Sequence, residues 1–170
     1  MTAQNIEHIG ILVENLEEAI ERWSAALGYQ FSPVARYRTQ RWVDSSDRSP
    51  HFHDARISFS LQGPPRIELM EVSGNGTHSA AQLGIHHFGF PGHADPLASA
   101  AASGLAVDGQ SLTGNGDTLL CFTEKAALDG IRLEFISPLP GPVVADDGRP
   151  LQRDALTGRA DLWLPPLEDA

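Results

Sequence analysis

The chain predicts an α+β fold. Two tandem βαβββ modules, at about residues 5–73 and 84–138, would form a cupped mixed sheet with helices on its outer face. Three observations predict it. The order strand, helix, three strands occurs twice, and internal repetition constrains a fold more than any single motif. Each module opens on an apolar strand that carries a histidine, residues 6–13 and 84–90. Each opening strand is followed by a helix start with its own capping residue, Asn15 or Asp95.

In the first module, residues 6–13 are rich in β-branched side chains and read as a strand. Asn15 then stands as N-cap with Glu18 three positions on, the pattern of a capping box. Leu16, Ile20, Trp23 and Leu27 follow at helical spacing. Gly28 sits where a helix end favours a left-handed residue. Residues 29–34 read as a second strand, 56–62 as a third and 66–72 as a fourth. The turn-rich run Asp44-Ser45-Ser46-Asp47-Arg48-Ser49-Pro50 predicts a mobile loop able to close a cleft.

In the second module, Asp95 caps a short Ala-rich helix with Pro96 at its first position. Residues 105–112 and 117–123 flank Asn115-Gly116, a hairpin signal. Residues 131–136 close the module. Residues 139–170 are a Pro-rich C-terminal extension containing Leu162, Trp163 and Leu164, expected to pack on the surface or on a partner subunit. Residues 1–138 are thus expected to be a single domain.

Composition narrows the function classes. The chain is 41% hydrophobic and 20% charged, so it can build a core and is neither disordered nor fibrous as a whole. Acidic residues outnumber basic ones, 22 to 12, and a net charge of -10 repels nucleic acid and anionic membrane surfaces. Neither is expected as a partner. The single Cys121 cannot form an internal disulfide, and its apolar neighbours predict a buried thiol. The first residues lack a basic stretch followed by a long apolar one, and no run approaches the ~18 to 20 apolar residues of a membrane span. A cytoplasmic location is expected.

Strand parity picks out a cluster. In an alternating strand, residues of like parity share a face. Ile9, Ile11 and Val13 oppose His8; Ile67 and Leu69 oppose Glu68; Phe88 and Phe90 oppose His87; Ile131, Leu133 and Phe135 oppose Glu134. The uniformly apolar parity suits the helix-covered side, so the two imidazoles and two carboxylates point to the concave side. Each module supplies one His from its first strand and one Glu from its last. Such a mixed N and O donor set suits one divalent ion: Zn(II), Ni(II), Co(II), Mn(II) or Fe(II).

At these residues the chain resembles a known family. Residues 6–13 (IEHIGILV), Asn15-Leu16-Glu17-Glu18-Ala19-Ile20 and Ala26-Leu27-Gly28 are similar to the opening of the vicinal oxygen chelate superfamily. That superfamily holds glyoxalase I, methylmalonyl-CoA epimerase, extradiol dioxygenases, and bleomycin and fosfomycin resistance proteins. Ile67-Glu68-Leu69-Met70-Glu71, residues 84–90 (GIHHFGF) and residues 129–135 (DGIRLEF) resemble its other metal-bearing strands. The resemblance covers about residues 5–138 and looks closest to the glyoxalase I and epimerase-like branch. It implies the glyoxalase/bleomycin resistance/dihydroxybiphenyl dioxygenase fold, metal positions at His8, Glu68, His87 and Glu134, and a homodimer. Two departures stand out. Glu68 follows the glyoxalase I pattern where epimerases often have Gln, and no acid in residues 36–43 clearly matches the epimerases' separate base.

The expected activity is that of a divalent-metal-dependent isomerase, epimerase or lyase. A proton would leave the carbon beside a carbonyl, with the metal stabilising the resulting enolate. Glu134 first and Glu68 second are the candidate catalytic carboxylates. The substrate would be a small carbonyl or vicinal-oxygen compound. One alternative is an Fe(II) extradiol-type dioxygenase, which needs only two His and one carboxylate. Another is a non-catalytic protein that binds an antibiotic or other natural product; a 7% aromatic content disfavours a stacking cage.

His86 and Glu71 have the wrong parity to join the cluster and read as structural. His51 and His53 would share a face if extended, giving a possible accessory site. His78 and His93 fall in turn segments, where solvent exposure is expected. Gly74-Asn75-Gly76 and Gly114-Asn115-Gly116 lead into no convincing helix and read as turns.

Overall fold

The computed structural model describes residues 4–168. Strand β1 (His8–Val13) leads into helix α1 (Leu16–Leu27), followed by β2 (Ala35–Val43), β3 (His51–Phe59) and β4 (Arg66–Glu71). The second module repeats the order with β5 (Gly84–Pro91), α2 (Pro96–Ala102), β6 (Val107–Leu112), β7 (Thr118–Thr123) and β8 (Arg132–Ile136). A short β9 (Val143–Ala145) lies in the extension. No helix among the described residues is long and apolar enough to cross a membrane.

Each module is a four-stranded mixed sheet, and the two are joined at both edges. The first strands meet antiparallel, with His8 opposite Gly89 and Gly10 opposite His87. At the far edges, Trp42 and Val43 of β2 pair with Ser111 and Gln110 of β6. Because β2 also pairs along β3, the sheet curves into a barrel-like cup. Both modules of one chain therefore face a common interior.

The helices cover the outside, as the parity required. Asn15 accepts a hydrogen bond from the Glu18 N–H, and Gly28 closes α1 at φ 72°. Only half of the capping box forms, since the Glu18 carboxylate pairs with Arg22 instead. Leu16, Ala19, Ile20 and Trp23 pack on Ile9, Ile11, Ile67 and Leu69. Leu27, the last residue of the expected stripe, extends past the sheet and is exposed. In the second module Asp95 caps α2, and Ala100 packs against Cys121 and Phe135. Cys121 is fully buried, as its apolar neighbours suggested.

One expectation is corrected. Residues 29–34 form no strand beyond the single bridge of Phe31 with Ser60; the second strand is Ala35–Val43. Its apolar alternation is hidden by a register shift between Thr39 and Trp42, so that Ala35, Thr39 and Trp42 are the buried positions. The loop that begins at Asp44 is tied down at its root. Asp44 is buried and accepts hydrogen bonds from Trp42 Nε1, from Ser46 and from Thr77.

The extension packs on its own chain. β9 pairs with the start of β2, and Ala145 and Leu151 join a core cluster with Leu12, Ile57 and Met70. Asp146 accepts from Arg36 and Arg56, and Arg56 also binds Glu17 and Glu71. These charges tie the extension to β2, β3, β4 and α1.

Candidate metal centre

Within the cup, β1, β4, β5 and β8 lie side by side, and each brings one of the four expected side chains inward. His8, Glu68, His87 and Glu134 are all buried, and each offers a donor atom within 4.8 Å of the others. His8 Nε2 is 3.0 Å from His87 Nε2 and 3.0 Å from Glu134 Oε2. His87 Nε2 is 3.2 Å from Glu68 Oε2 and 3.3 Å from Glu134 Oε2. His8 Nε2 is 3.5 Å from Glu68 Oε2.

The hydrogen bonds behind the rings set their tautomers. His8 Nδ1 lies 2.6 Å from Glu7 Oε2, so Nδ1 carries a proton and Nε2 is the nitrogen left facing inward as a ligand. On the other side, His86 Nε2 lies 2.8 Å from the Thr77 carbonyl and must donate to it. His86 Nδ1 is then an acceptor for His87 Nδ1, 3.0 Å away, and His87 Nε2 is likewise the nitrogen facing inward. Two imidazole nitrogens and two carboxylate oxygens thus converge, a set that positive charge, as protons on the rings or as a metal ion, holds together.

The spacing fits a metal ion. Two ligands at ~2.1 Å from an ion and at right angles to each other are about 3.0 Å apart, the separation seen between the imidazole nitrogens. Two carboxylates also balance a divalent charge. The titration shifts show the same tension. Burial opposes charge on His8, but hydrogen bonds to Glu134 and Glu7 and the charge of Glu68 carry it up to about 10. His87 is raised too, burial being outweighed by the Glu134 charge and its hydrogen bonds. Burial would raise Glu134, yet the two imidazoles hold it well below the usual carboxylate range. The site holds positive charge strongly, as protons or as metal.

Glycines make room for the rings. A β-carbon at Gly10 would stand 2.0 Å from His87 Cε1, and one at Gly89 would stand 2.0 Å from His8 Cε1. These residues and the tautomer-setting Glu7 lay outside the sequence reading. The signal for the glycines was present, because His-Ile-Gly at residues 8–10 is repeated as His-Phe-Gly at 87–89. Glu7 carried none, being one neighbour among many acidic residues.

The donor cluster divides the interior of the cup. Along β4, Arg66 lines an outer cavity of about 700 Å³, Met70 lines an inner one of about 40 Å³, and Glu68 lines both. The outer cavity is walled by Tyr37, Phe59 and Leu120 and, from the extension, by Val143, Leu162 and Trp163. Around the inner cavity, His53 stacks on Trp42 at 4.4 Å, and His78 lies between His53 and His86. His78 is buried, in contrast to the exposure expected of it, because its turn folds back into the cup. Burial lowers His53 to about 4 and keeps His78 neutral. His51 instead has its Nδ1 3.0 Å from the Ser49 carbonyl, and no metal-ligand cluster with His53 forms among the described residues. His86 is structural as expected, and Glu71 turns away to the Leu16 N–H and Arg56. His93 is half-buried, its Nδ1 2.8 Å from Ser99 Oγ.

Comparison with known proteins agrees with this architecture. A variant of Streptomyces coelicolor methylmalonyl-CoA epimerase in complex with 2-nitronate-propionyl-CoA superposes with a TM-score of 0.52 at 19% identity, covering 80% of this chain and 98% of that one. A methylmalonyl-CoA epimerase in complex with methylmalonyl-CoA and NH4+ gives a TM-score of 0.51 at 19% identity, covering 80% of this chain and 95% of that one. At this identity the likeness is one of fold. No curated protein matches the sequence significantly. Residues 7–107 match the family described as the Glyoxalase/Bleomycin resistance protein/Dioxygenase superfamily, and with more than half of its length matched the chain belongs to that superfamily.

Proposed function

We propose that the protein is a divalent-metal-dependent isomerase, epimerase or lyase that moves a proton on the carbon beside a carbonyl group. The observation that carries this reading is the convergence of two imidazole nitrogens and two carboxylates at the foot of a 700 Å³ cavity. His8, His87, Glu68 and Glu134 would hold the ion. When bound, the ion supplies Lewis-acid stabilisation of negative charge on a carbonyl oxygen.

The chain's own groups do the rest. His8 and His87 stay fixed, their outer nitrogens occupied by Glu7 and His86. Glu134 is the first candidate for the proton-transferring carboxylate and Glu68 the second. A carboxylate held among cations is a weak base, so it must swing toward the outer cavity to take a proton. Both line that cavity, which gives them somewhere to swing. The apolar side chains of Ile57, Phe59 and Leu120 in its wall limit water around the proton in transit. The same reading carries the homodimer as an expectation, measured by light scattering.

Elemental analysis of the purified protein and solvent-deuterium exchange test this reading together. One metal ion per chain is expected, with Ni(II), Co(II), Mn(II) or Zn(II) supporting deuterium entry beside the carbonyl of a substrate panel. Methylmalonyl-CoA is the first compound to try, because proteins of this fold bind it. His8→Ala and Glu134→Gln should each abolish exchange while far-UV circular dichroism is kept. Exchange by metal-free Glu134→Gln protein would overturn the mechanism. Fe(II)-dependent oxygen uptake would replace it with the dioxygenase reading. Tight ligand binding with neither metal nor turnover would leave a binding protein.

A further inference from the structure

The outer cavity has a second chemical feature, apart from the donor cluster. Arg66 and Arg159 both line it. Arg66 stands opposite His8 in the β1–β4 register and one pleat outward from Glu68 on the same strand. Residues two apart on a strand share a face about 7 Å apart, so Arg66 and Glu68 rise from the same face of β4 into one cavity. Arg159 comes from the C-terminal extension, and both guanidiniums are near enough to act on the Glu7 carboxylate.

Neither guanidinium makes a hydrogen bond or a salt bridge among the described residues. Arg36, Arg38, Arg56 and Arg132, by contrast, are each engaged with carboxylates. The acids lining the cavity near them already have partners. Glu7 binds His8 Nδ1, Asp154 accepts from the N–H groups of Leu156 and Thr157, and Asp161 accepts from the Trp163 N–H. Two guanidiniums without a hydrogen-bonded carboxylate, on a cavity wall that also carries the apolar side chains of Phe59, Leu162 and Trp163, are placed to recognise an anionic oxygen group, whether carboxylate or phosphate.

We infer that the substrate carries an anionic oxygen group at the end opposite its reacting carbonyl, and that Arg66 and Arg159 bind it across an apolar body packed on Phe59, Leu162 and Trp163. This deepens the proposed function and rests on it for where the carbonyl sits. It also gives the extension a role in recognition, since three of these five residues belong to it.

The test is calorimetric and uses three probes on the full-length Zn(II)-loaded protein: phenylglyoxylate, its 4-carboxy derivative and its 4-phosphono derivative. At least one 4-substituted probe should bind about tenfold or more tightly than phenylglyoxylate, the gain of a charge-assisted pair. Which one gains identifies a carboxylate or a phosphate as the natural group. The gain should vanish in Arg66→Gln/Arg159→Gln, with the Kd of phenylglyoxylate itself unchanged, and return in part with lysine at both positions. No gain for either probe, or a gain that survives the double substitution, overturns the inference. Repeating the titrations without metal separates the two proposals. If the donor-cluster reading fails, phenylglyoxylate binds no better with Zn(II), while the 4-substituted probes still lose affinity in Arg66→Gln/Arg159→Gln.

Discussion

The ring of His8 lies over the backbone of Gly89 in the other module, close enough that a β-carbon there would stand 2.0 Å from His8 Cε1. The relation is reciprocal, with His87 over Gly10, because the two opening strands pair antiparallel with each His opposite the partner glycine. Each module thus supplies both a ligand and the space for the other module's ligand. Gly10→Ala or Gly89→Ala should push one imidazole off its position. Metal affinity is expected to fall about 10- to 100-fold, as when a ligand's supporting contacts are lost. Competition with a chelator measures it, and wild-type affinity in both variants would show that the rings are held by something else.

The tautomer-setting contacts make a separate prediction. Glu7→Gln keeps the shape but can present an amide N–H to His8 Nδ1, where the wild-type carboxylate only accepts. His86→Phe removes the acceptor that His87 Nδ1 needs. Either change should weaken metal binding about tenfold or more while leaving one site per chain. Isothermal titration of the metal-free protein with Zn(II) reads both affinity and stoichiometry. A change in stoichiometry with unchanged affinity would contradict the assignment.

Asp44 should govern stability in acid. Its carboxylate is buried among donors from Trp42, Ser46 and Thr77, and those hydrogen bonds outweigh burial and hold it well below the usual range. A lowered folded-state value means stability that is fully present above the ordinary Asp value of about 3.9 and lost as pH falls through and below it. Asp44→Ala should cost about 2–4 kcal/mol at neutral pH by orphaning buried donors. It should also flatten the decline in stability between about pH 5 and pH 2. Urea denaturation across that range checks both; an unchanged acid slope would assign the decline to other carboxylates.

Leu151 tests the standing of the extension. Although far beyond the second module, it is 6% exposed and packed in one cluster with Leu12, Ile57 and Met70. Leu151→Ala should therefore destabilise the whole domain by about 2–4 kcal/mol in a single cooperative transition. A peripheral tail would lose far less, so a loss under about 0.5 kcal/mol would refute integral packing.

What the sequence determined by itself was local. Period-two alternation needs only neighbouring residues, so it assigned His8, Glu68, His87 and Glu134 to one face and Ile9, Ile67, Phe88 and Leu133 to the other. The capping chemistry of Asn15, Gly28 and Asp95 is likewise local, and those helix ends lie where they were expected. The tertiary structure decided what depends on distant partners. The register shift in β2 broke the alternation that would have revealed that strand. The turn carrying His78 reads as exposed until β5 places His86 beside it. The extension reads as a tail until β2 offers an edge to β9 and Arg36 and Arg56 hold Asp146. Faces follow from the alternating geometry of a single strand, whereas edges, cavities and charge partners follow from which strands meet, and that is settled only when the whole chain closes on itself.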